Sequence, residues 1–197
     1  MNFLAHAYLS FNYPEILVGN MISDFVKGSR KFDFSEGIQQ GITLHRQIDT
    51  FTDNHTATKE AIAFLKPAVG MYAGAFIDVA YDHFLANDSN EFSDTSLQAM
   101  ATNTYDVLNS FQTILPEKFQ YMLPYMRSQN WLYNYKTISG TQSSFGGVVR
   151  RAKYLDSHEK VFEFFLSRYE EIQECYTVFF PAVKSFALHQ IEQLKKV

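Results

Sequence analysis

The sequence is poor in cysteine and in helix-breaking residues, with one Cys, five Pro and nine Gly among 197 residues. A single cysteine excludes an internal disulfide and suits a reducing compartment, so we expect a cytoplasmic protein. Cys175 lies in an apolar helical pattern, which predicts a buried core thiol. Because alternating strand-like runs between Asn-Gly or Asp-Gly turns are also lacking, the predicted fold class is all-α.

Basic stripes and long apolar runs are lacking as well. The formal net charge is -4, and a nucleic-acid-binding protein usually carries a basic stripe. The N-terminal segment has no basic n-region of a signal peptide, and no run approaches the roughly 18 apolar residues of a membrane span. We therefore expect neither nucleic acid nor a membrane as partner, whereas an acidic protein partner requires only a local basic patch.

Apolar and aromatic residues are abundant: hydrophobic residues make up 46% of the chain, with 19 Phe and 12 Tyr. This composition predicts an aromatic core large enough to offset the cost of a buried polar site. No repeat, low-complexity tract or Pro/Gly/Ser-rich linker divides the chain. Residues 1–197 are therefore predicted to form a single-domain helical bundle.

Helix signals recur along the chain as prolines at first helical positions and as capping-box pairs. The predicted helices run from Pro14 to Gly28, over 35–52, 56–65, 67–85 and 95–115, and from Asp156 through the C-terminal region. Pro181 is expected to kink or restart the last helix. The stretch 139–147, rich in Ser, Thr and Gly, is predicted to be a mobile loop.

Polar residues follow one face of the second predicted helix, where His45, Asp49 and Asp53 are spaced by four. Apolar residues lie both opposite this face and along it: Ile38, Ile42, Leu44, Ile48 and Phe51. A helix with apolar groups on two sides lies inside a bundle, so its polar stripe needs partners. The alternative is ordinary amphipathicity, with the polar stripe in water.

A second polar group interrupts the apolar segment A-F-I-D-V-A-Y-D-H-F-L. Asp78 and Asp82 are one helical turn apart, and His83 follows directly. Buried carboxylates are driven toward neutrality unless they meet a cation, and Asp and His are ordinary ligands of Zn, Mn, Fe or Mg-class ions. Together with Asp24 and His6, these residues favour a metal site.

Structural alternatives exist for several of these residues. His6 alone fits a satisfied core histidine, Asp24 fits a helix cap or a partner of Lys27, and Asp53 fits a helix end. Other chemistries fit less well, since Glu-x-x-His, G-x-S-x-G, P-loop and G-x-G-x-x-G motifs are absent. Metal-assisted hydrolysis of a phosphate ester remains, in which an ion lowers the pKa of water and polarises a phosphoryl oxygen. The basic residues available to bind a phosphate are Lys27, Arg46, Arg150 and Arg151.

The motifs M-N-F-L-A-H, G-N-M-I-S-D-F-V-K-G, G-I-T-L-H-R-Q-I-D-T-F-T-D-N and D-V-A-Y-D-H-F-L resemble the acyl carrier protein phosphodiesterase family. Weaker similarities in Q-N-W-L-Y-N-Y, V-V-R-R-A-K-Y-L and the F-F-P near Pro181 extend the resemblance over nearly the whole chain. The resemblance implies an all-α, HD-phosphohydrolase-like fold. It also implies Mn-dependent hydrolysis of the phosphodiester that joins 4'-phosphopantetheine to a serine of holo-acyl carrier protein, with Mg, Fe or Zn as other possible ions.

Site roles follow from the resemblance. The implied metal shell contains Asp24, His45, Asp82 and His83, with His6, Asp49 and Asp78 as further ligands or supporting groups. The order Asp82-His83 reverses the His-Asp pair of HD proteins. His6 or Asp49 is the expected general acid, and Arg46 or Lys27 is expected to stabilise developing charge. Acyl carrier proteins are acidic, so the expected docking residues are Lys27, Arg30, Lys31, Arg150, Arg151 and Lys153.

Two rival functions stay open at this point. One is a metal phosphohydrolase that acts on a nucleotide or another small phosphodiester. The other is a non-catalytic helical module that binds an acidic partner, with the His and Asp residues merely structural.

Overall fold

The computed structural model describes residues 1–155 and 157–195. These residues are helical without any strand, which confirms the predicted fold class. The α-helices are α1 (Phe3–Tyr8), α2 (Pro14–Ile22), α3 (Glu36–Asn54), α4 (Thr56–Val69), α5 (Ala73–Asn87), α6 (Asp94–Ser110), α7 (Glu117–Ser128), α8 (Trp131–Asn134), α9 (Ile138–Arg151), α10 (His158–Leu166) and α11 (Tyr169–Leu194). Short 3₁₀ helices span Ser23–Phe25, Gly28–Asp33, Gly70–Tyr72 and Gln112–Ile114.

Two glycines bring α2 and α3 unusually close together. A Cβ atom on Gly19 would lie 2.1 Å from the carbonyl oxygen of Ile38, and one on Gly41 would lie 2.2 Å from that of Ile16. Any other residue at either position would collide with backbone, which cannot easily move. The close packing places the polar face of α3 beside the end of α2, while α1 packs against α2 and α5.

Aromatic side chains fill the core, as the composition predicts. The Phe145 ring, for example, lies 5.0 Å from that of Phe76 and 5.1 Å from that of Phe165, between ring centroids. Cys175 on α11 is a free, buried thiol, and burial raises its pKa to about 11. The predicted core role of this cysteine is confirmed.

The predicted start of the fourth helix at Pro67 is wrong. Pro67 lies inside α4, near its C-terminal end, where it removes one backbone N–H donor without ending the helix. The helix ends at Gly70, whose φ of 55° and ψ of −126° are readily adopted only by glycine. The next helix, α5, then begins at Ala73.

The predicted mobile loop over 139–147 is also wrong, because these residues belong to α9. The Thr137 hydroxyl accepts a hydrogen bond from the Gly140 N–H and caps the helix. Phe145 is fully buried and Val148 nearly so, which anchors the helix to the core. Tertiary burial therefore outweighs the low helix propensity of the Ser, Thr and Gly residues.

Other boundaries differ from the prediction by one or more turns. The first long helix ends at Ile22 rather than near Gly28. The helix expected over 95–115 is α6, which is capped by Ser93 and ends at Ser110. The last predicted helix divides into α10 and α11, and α11 continues through Pro181 without a restart. Asp156, its predicted start, lies outside the described residues, and Ser157 caps α10.

Among the described residues, the stretch Thr56–Asn87 is long and apolar enough to cross a membrane by length and composition alone. Such a segment was not predicted from the sequence. The turn at Gly70 divides it into α4, with 14 residues, and α5, with 15. Each is shorter than the roughly 20 residues of a spanning helix. Most of α5 is buried in the core, whereas α4 buries one face only.

Candidate metal centre

Four side chains from three segments in the N-terminal part of the chain lie close together. His6 comes from α1, Asp24 from the 3₁₀ helix after α2, and His45 and Asp49 from successive turns of α3. The His6 and His45 rings stack with their centroids 3.9 Å apart. Asp49 lies between their edges, with Oδ1 3.3 Å from His6 Nε2 and Oδ2 3.1 Å from His45 Nε2. Asp24 Oδ1 is 3.3 Å from His45 Nε2. We call these four residues the α1–α3 cluster.

Asn20 on α2 orients both imidazole rings. Its side-chain NH₂ donates to the His6 carbonyl (2.8 Å) and the Ser10 hydroxyl (3.1 Å), so its Oδ1 is left as an acceptor for His6 Nδ1 at 2.7 Å. The Asn20 carbonyl oxygen lies 2.7 Å from His45 Nδ1. Each Nδ1 therefore carries a proton that it donates, and each Nε2 presents its lone pair toward the carboxylates when the ring is neutral.

The two Nε2 atoms are buried and form no well-aligned hydrogen bond among the described residues, although carboxylate oxygens lie 3.1 to 3.3 Å away. Buried polar atoms that lack a well-formed hydrogen bond are rare, so this arrangement requires an explanation. A divalent cation would provide one, because it would accept both lone pairs and neutralise both carboxylates. The candidate ligand atoms of His6, His45 and Asp49 all lie within 4.8 Å of one another. Imidazole and carboxylate donors together suit Mn, Fe or Zn.

The electrostatics of the cluster fit the same interpretation. Burial, reinforced by the charge of His45, lowers the pKa of His6 to about 4. Burial also opposes the charged form of His45, but Asp24 and Asp49 outweigh it and raise that pKa to about 9. Despite its own burial, Asp49 has a pKa well below the usual range because His45 and His6 flank it. One positive charge between two carboxylates is thus favourable here even without a metal, and a divalent ion would balance both.

Asp78 on α5 lies beside the cluster but has a different partner. Its Oδ1 is 2.8 Å from the N-terminal ammonium of Met1, which is also 3.9 Å from Asp49 Oδ1. Burial raises the pKa of Asp78 even though the ammonium opposes that shift. The predicted metal ligand is therefore engaged by a protein cation, and we regard it as a supporting group.

Asp82 and His83 are not brought into the cluster. The buried Asp82 carboxylate accepts backbone N–H groups of Asn2 (3.2 Å), Leu4 (2.7 Å) and Ala5 (3.3 Å), and so holds the start of α1. This satisfies its oxygens within the protein. Asp82 was predicted to be a metal ligand. Its hydrogen bonds instead fit an anchor for α1, the helix that carries His6.

His83 is likewise satisfied by protein atoms. Its Nδ1 lies 2.7 Å from the Tyr135 carbonyl oxygen, and its Nε2 lies 2.8 Å from the Tyr169 hydroxyl. Burial lowers the pKa of His83, which keeps the ring neutral. With both nitrogens engaged, the ring has no lone pair to offer, so the structure argues against the predicted ligand role.

The predicted basic residues divide into two groups. Arg46 follows His45 directly, is exposed, and donates from Nη2 to the Val26 carbonyl at 3.1 Å. Lys27 is also exposed and lies three residues after Asp24. Arg150 and Arg151 instead end α9, which packs mainly against α5 and α10. Arg46 and Lys27 therefore belong to the segments that build the cluster, and the two other arginines belong to another part of the molecule.

Comparison with known proteins agrees with the resemblance carried by the motifs. A family model described as "Acyl carrier protein phosphodiesterase" matches residues 1–183. A protein named acyl carrier protein phosphodiesterase from Salmonella agona (strain SL483) is 29% identical over 188 residues, which cover 95% of this chain and 97% of that protein. One of the same name from Escherichia coli O139:H28 is 28% identical over 191 residues, covering 96% and 99%. No solved structure matched the chain.

Proposed function

The chain belongs to the acyl carrier protein phosphodiesterase family, and from this premise we propose that it hydrolyses the phosphodiester between 4'-phosphopantetheine and the serine of holo-acyl carrier protein with the help of a divalent metal ion. The family is one of phosphoric diester hydrolases. The observation that carries the metal dependence is the convergence of the buried Nε2 atoms of His6 and His45 on two carboxylates without a well-aligned hydrogen bond between them.

We propose His6, Asp24, His45 and Asp49 as the residues that would hold the ion. When bound, a divalent cation supplies Lewis acidity toward a phosphoryl oxygen and lowers the pKa of water. Mn is the ion implied by the resemblance, and the mixed N/O donor set is compatible with it. The HD-type relationship and the cytoplasmic location stay predictions.

This ligand set changes the roles expected for His6 and Asp49. A general acid must offer a proton to the leaving serine oxygen, but His6 donates its Nδ1 proton to Asn20 and directs its other nitrogen into the cluster. The low pKa of Asp49 leaves it without a proton to donate. Ligand roles therefore fit both residues better than the acid role.

Arg46 is the residue we assign to the phosphate. Its guanidinium uses one donor on the Val26 carbonyl, which fixes the side chain next to the Asp24 segment. Several N–H groups remain for phosphoryl oxygens, and a fixed guanidinium suits them better than a flexible ammonium. Electrostatic stabilisation of the charge that develops on the phosphoryl group is the expected contribution.

Docking of an acidic carrier protein is best served by the segment that follows Asp24 in the chain, in which Lys27 and Arg30 are exposed and Lys31 is half-buried. None of these three side chains forms an ion pair within the described part of the chain. Charge reversal at Lys27 and Arg30 is expected to slow turnover at low salt and to weaken its salt dependence. The matched reversal of Arg150 and Arg151 is expected to have the smaller effect.

Intact mass spectrometry of holo-acyl carrier protein, incubated with this protein and Mn²⁺ or with EDTA, tests the proposed reaction. Loss of the whole phosphopantetheine arm in the Mn²⁺ sample alone is the predicted outcome. An unchanged carrier protein despite bound metal would point to a small phosphodiester as substrate. An unchanged carrier protein without metal binding would leave only a binding role.

A further inference from the structure

Asn20 is a fully buried amide on α2 that contacts both histidines of the α1–α3 cluster. It interrupts the apolar run I-L-V-G-N-M-I, where an amide costs free energy unless its polar atoms are bonded. Three hydrogen bonds satisfy the side chain, and a fourth is accepted by the main-chain carbonyl. Asn20 is therefore tied to the cluster through both its side chain and its main chain.

The hydrogen bonds around the Asn20 amide fix its orientation. The His6 carbonyl can only accept, so the amide atom 2.8 Å away from it is the NH₂ group. The Ser10 hydroxyl donates its one proton to the same carbonyl at 2.8 Å, so it can only accept from Asn20, at 3.1 Å. Both hydrogens of the NH₂ group are thus used, and the amide oxygen faces His6 Nδ1 at 2.7 Å. A flipped amide would place acceptor against acceptor at the carbonyl.

The neutral His6 ring has one proton and two acceptors that compete for it. Asn20 Oδ1 lies 2.7 Å from Nδ1, and Asp49 Oδ1 lies 3.3 Å from Nε2. If the proton were on Nε2, the ring would donate to Asp49, but the Nδ1 lone pair would then face the Asn20 oxygen at close range. Because the amide cannot turn its NH₂ toward the ring, the proton is held on Nδ1 and the lone pair stays on Nε2.

The His45 ring is oriented by the main chain of the same residue. Asn20 lies in the last turn of α2 (Pro14–Ile22), where carbonyl groups lack partners within the helix. Its carbonyl oxygen is 2.7 Å from His45 Nδ1. A substitution at position 20 therefore removes the acceptor of His6 and leaves the acceptor of His45 in place. The contribution of the side chain can be measured separately for this reason.

We propose that Asn20 is a positioning residue that keeps the proton of His6 on Nδ1 and thereby leaves Nε2 free to bind the metal ion. The inference rests on the proposed function for that ion. Without the amide oxygen, the single ring proton resides on Nε2 and is donated to Asp49, so the cluster loses one ligand atom. Ser10 supports this arrangement because it holds the amide NH₂ away from the ring.

The tautomer of His6 in the metal-free protein tests the proposal without any turnover. Long-range ¹H–¹⁵N correlation spectra distinguish a ring protonated on Nδ1 from one protonated on Nε2, and the spectrum of His6→Gln identifies the signal. We expect the Nδ1–H form in the wild type and the Nε2–H form in Asn20→Leu, which keeps the branched shape without an acceptor. An unchanged ring in Asn20→Leu would overturn the proposal. An Nε2–H ring in the wild type would do so even if the variant failed to fold.

Mn²⁺ affinity tests the consequence for the metal centre. Asn20→Leu is expected to raise the Kd for Mn²⁺ about 10–100-fold, the usual loss when a partner of a ligating histidine is removed. Asn20→Asp retains an oxygen opposite Nδ1 and should restore most of the affinity. Thr141→Val is the matched control, since it removes a buried hydroxyl that contacts His83, outside the cluster. It should leave the Kd and the His6 tautomer unchanged, and an equal loss of affinity there would overturn the proposal.

The carrier-protein mass assay, run in parallel, distinguishes failure of the inference from failure of the function. If the wild type binds Mn²⁺ and releases the phosphopantetheine arm but Asn20→Leu keeps the wild-type tautomer and Kd, the inference is wrong and the function stands. If the tautomers differ as predicted but the wild type binds no Mn²⁺, the metal-dependent function is wrong, and the control of the His6 proton by Asn20 stands.

Discussion

The α1–α3 cluster and the Asp82–His83 pair both combine buried histidines with aspartates, although Asp82 is buried and Asp24 is mostly exposed. In the first, the Nε2 atoms of His6 and His45 form no well-aligned hydrogen bond among the described residues. In the second, both ring nitrogens of His83 are bonded to protein oxygens, and Asp82 accepts three backbone N–H groups. Burial of an ionisable side chain therefore does not by itself identify a metal ligand. A missing hydrogen bond at the candidate ligand atom is the better indication.

Matched substitutions of the two histidines should produce the largest difference. We expect His45→Gln to abolish tight Mn²⁺ binding and to lower turnover more than about 100-fold, since loss of a group that only supports a ligand already costs about 10–100-fold. His83→Gln should retain Mn²⁺ binding and lose stability instead. Titration followed by the electron paramagnetic resonance of free Mn²⁺, together with turnover, measures both. Wild-type Mn²⁺ affinity in His45→Gln would break the comparison.

Glycine substitutions on two helices, one next to the α1–α3 cluster and one that carries Asp82 and His83, should differ in their effect on stability. Gly19→Ala forces a methyl group against the Ile38 carbonyl, and we expect it to lower the free energy of unfolding by up to about 3 kcal/mol. At Gly74 on α5, an added Cβ would meet only Ile62 Cδ1, at 3.9 Å. Gly74→Ala should be neutral or stabilising. Urea denaturation of the two variants checks this, and equal effects would show that the α2–α3 approach is not tight.

Substitutions of Asp82 and Asp24 should affect different properties, folding stability in the first case and metal binding in the second. An asparagine NH₂ at position 82 would face a backbone N–H, so Asp82→Asn is expected to cost about 2 kcal/mol of stability. Asp24 is mostly exposed, so Asp24→Asn should change stability little and weaken Mn²⁺ binding. Denaturation and Mn²⁺ titration of both variants provide the test. A larger stability loss in Asp24→Asn would reverse the assignment.

The pH dependence should be the smallest of these effects. The pKa of His45 in the folded protein, about 9, lies above its unfolded value of about 6.5. In metal-free protein this ring contributes stability that is fully present below about pH 6.5 and is lost as the pH rises through about 9. Metal binding requires the neutral ring, so stabilisation by saturating Mn²⁺ should increase over the same window. Thermal midpoints measured with Mn²⁺ and with EDTA across this pH range give the stabilisation by the metal. A difference between the two midpoints that stays constant with pH, or the same increase in His45→Gln, would contradict the prediction.

The all-α fold was predictable because few residues in the chain break helices. The helix boundaries at Pro67 and over 139–147 were not predictable. Local helix propensity does not show where burial in the core stabilises a segment. Phe145 secures α9 through its contacts with other rings, and a Ser- and Gly-rich pattern conceals such long-range packing.

The site was predictable in part. The spacing of His45 and Asp49 on one helical face predicted that these two residues of the cluster lie together. His6 and Asp24 were also candidates, but their meeting with His45 depends on the packing of α1 against α2 and α5 and on the close approach of α2 and α3. A single sequence does not display this packing. Asn20 was missed, although a polar residue within the run I-L-V-G-N-M-I is a detectable signal. Asp82 and His83 met the same burial criterion as the cluster, and only their hydrogen-bond partners tell them apart.

Anomalous diffraction from a crystal of the Mn²⁺-soaked protein tests the metal assignment most directly. The predicted result is a peak within coordinating distance of His6 Nε2, His45 Nε2 and Asp49. A peak beside Asp82 or His83, with none at the stacked histidines, would contradict it.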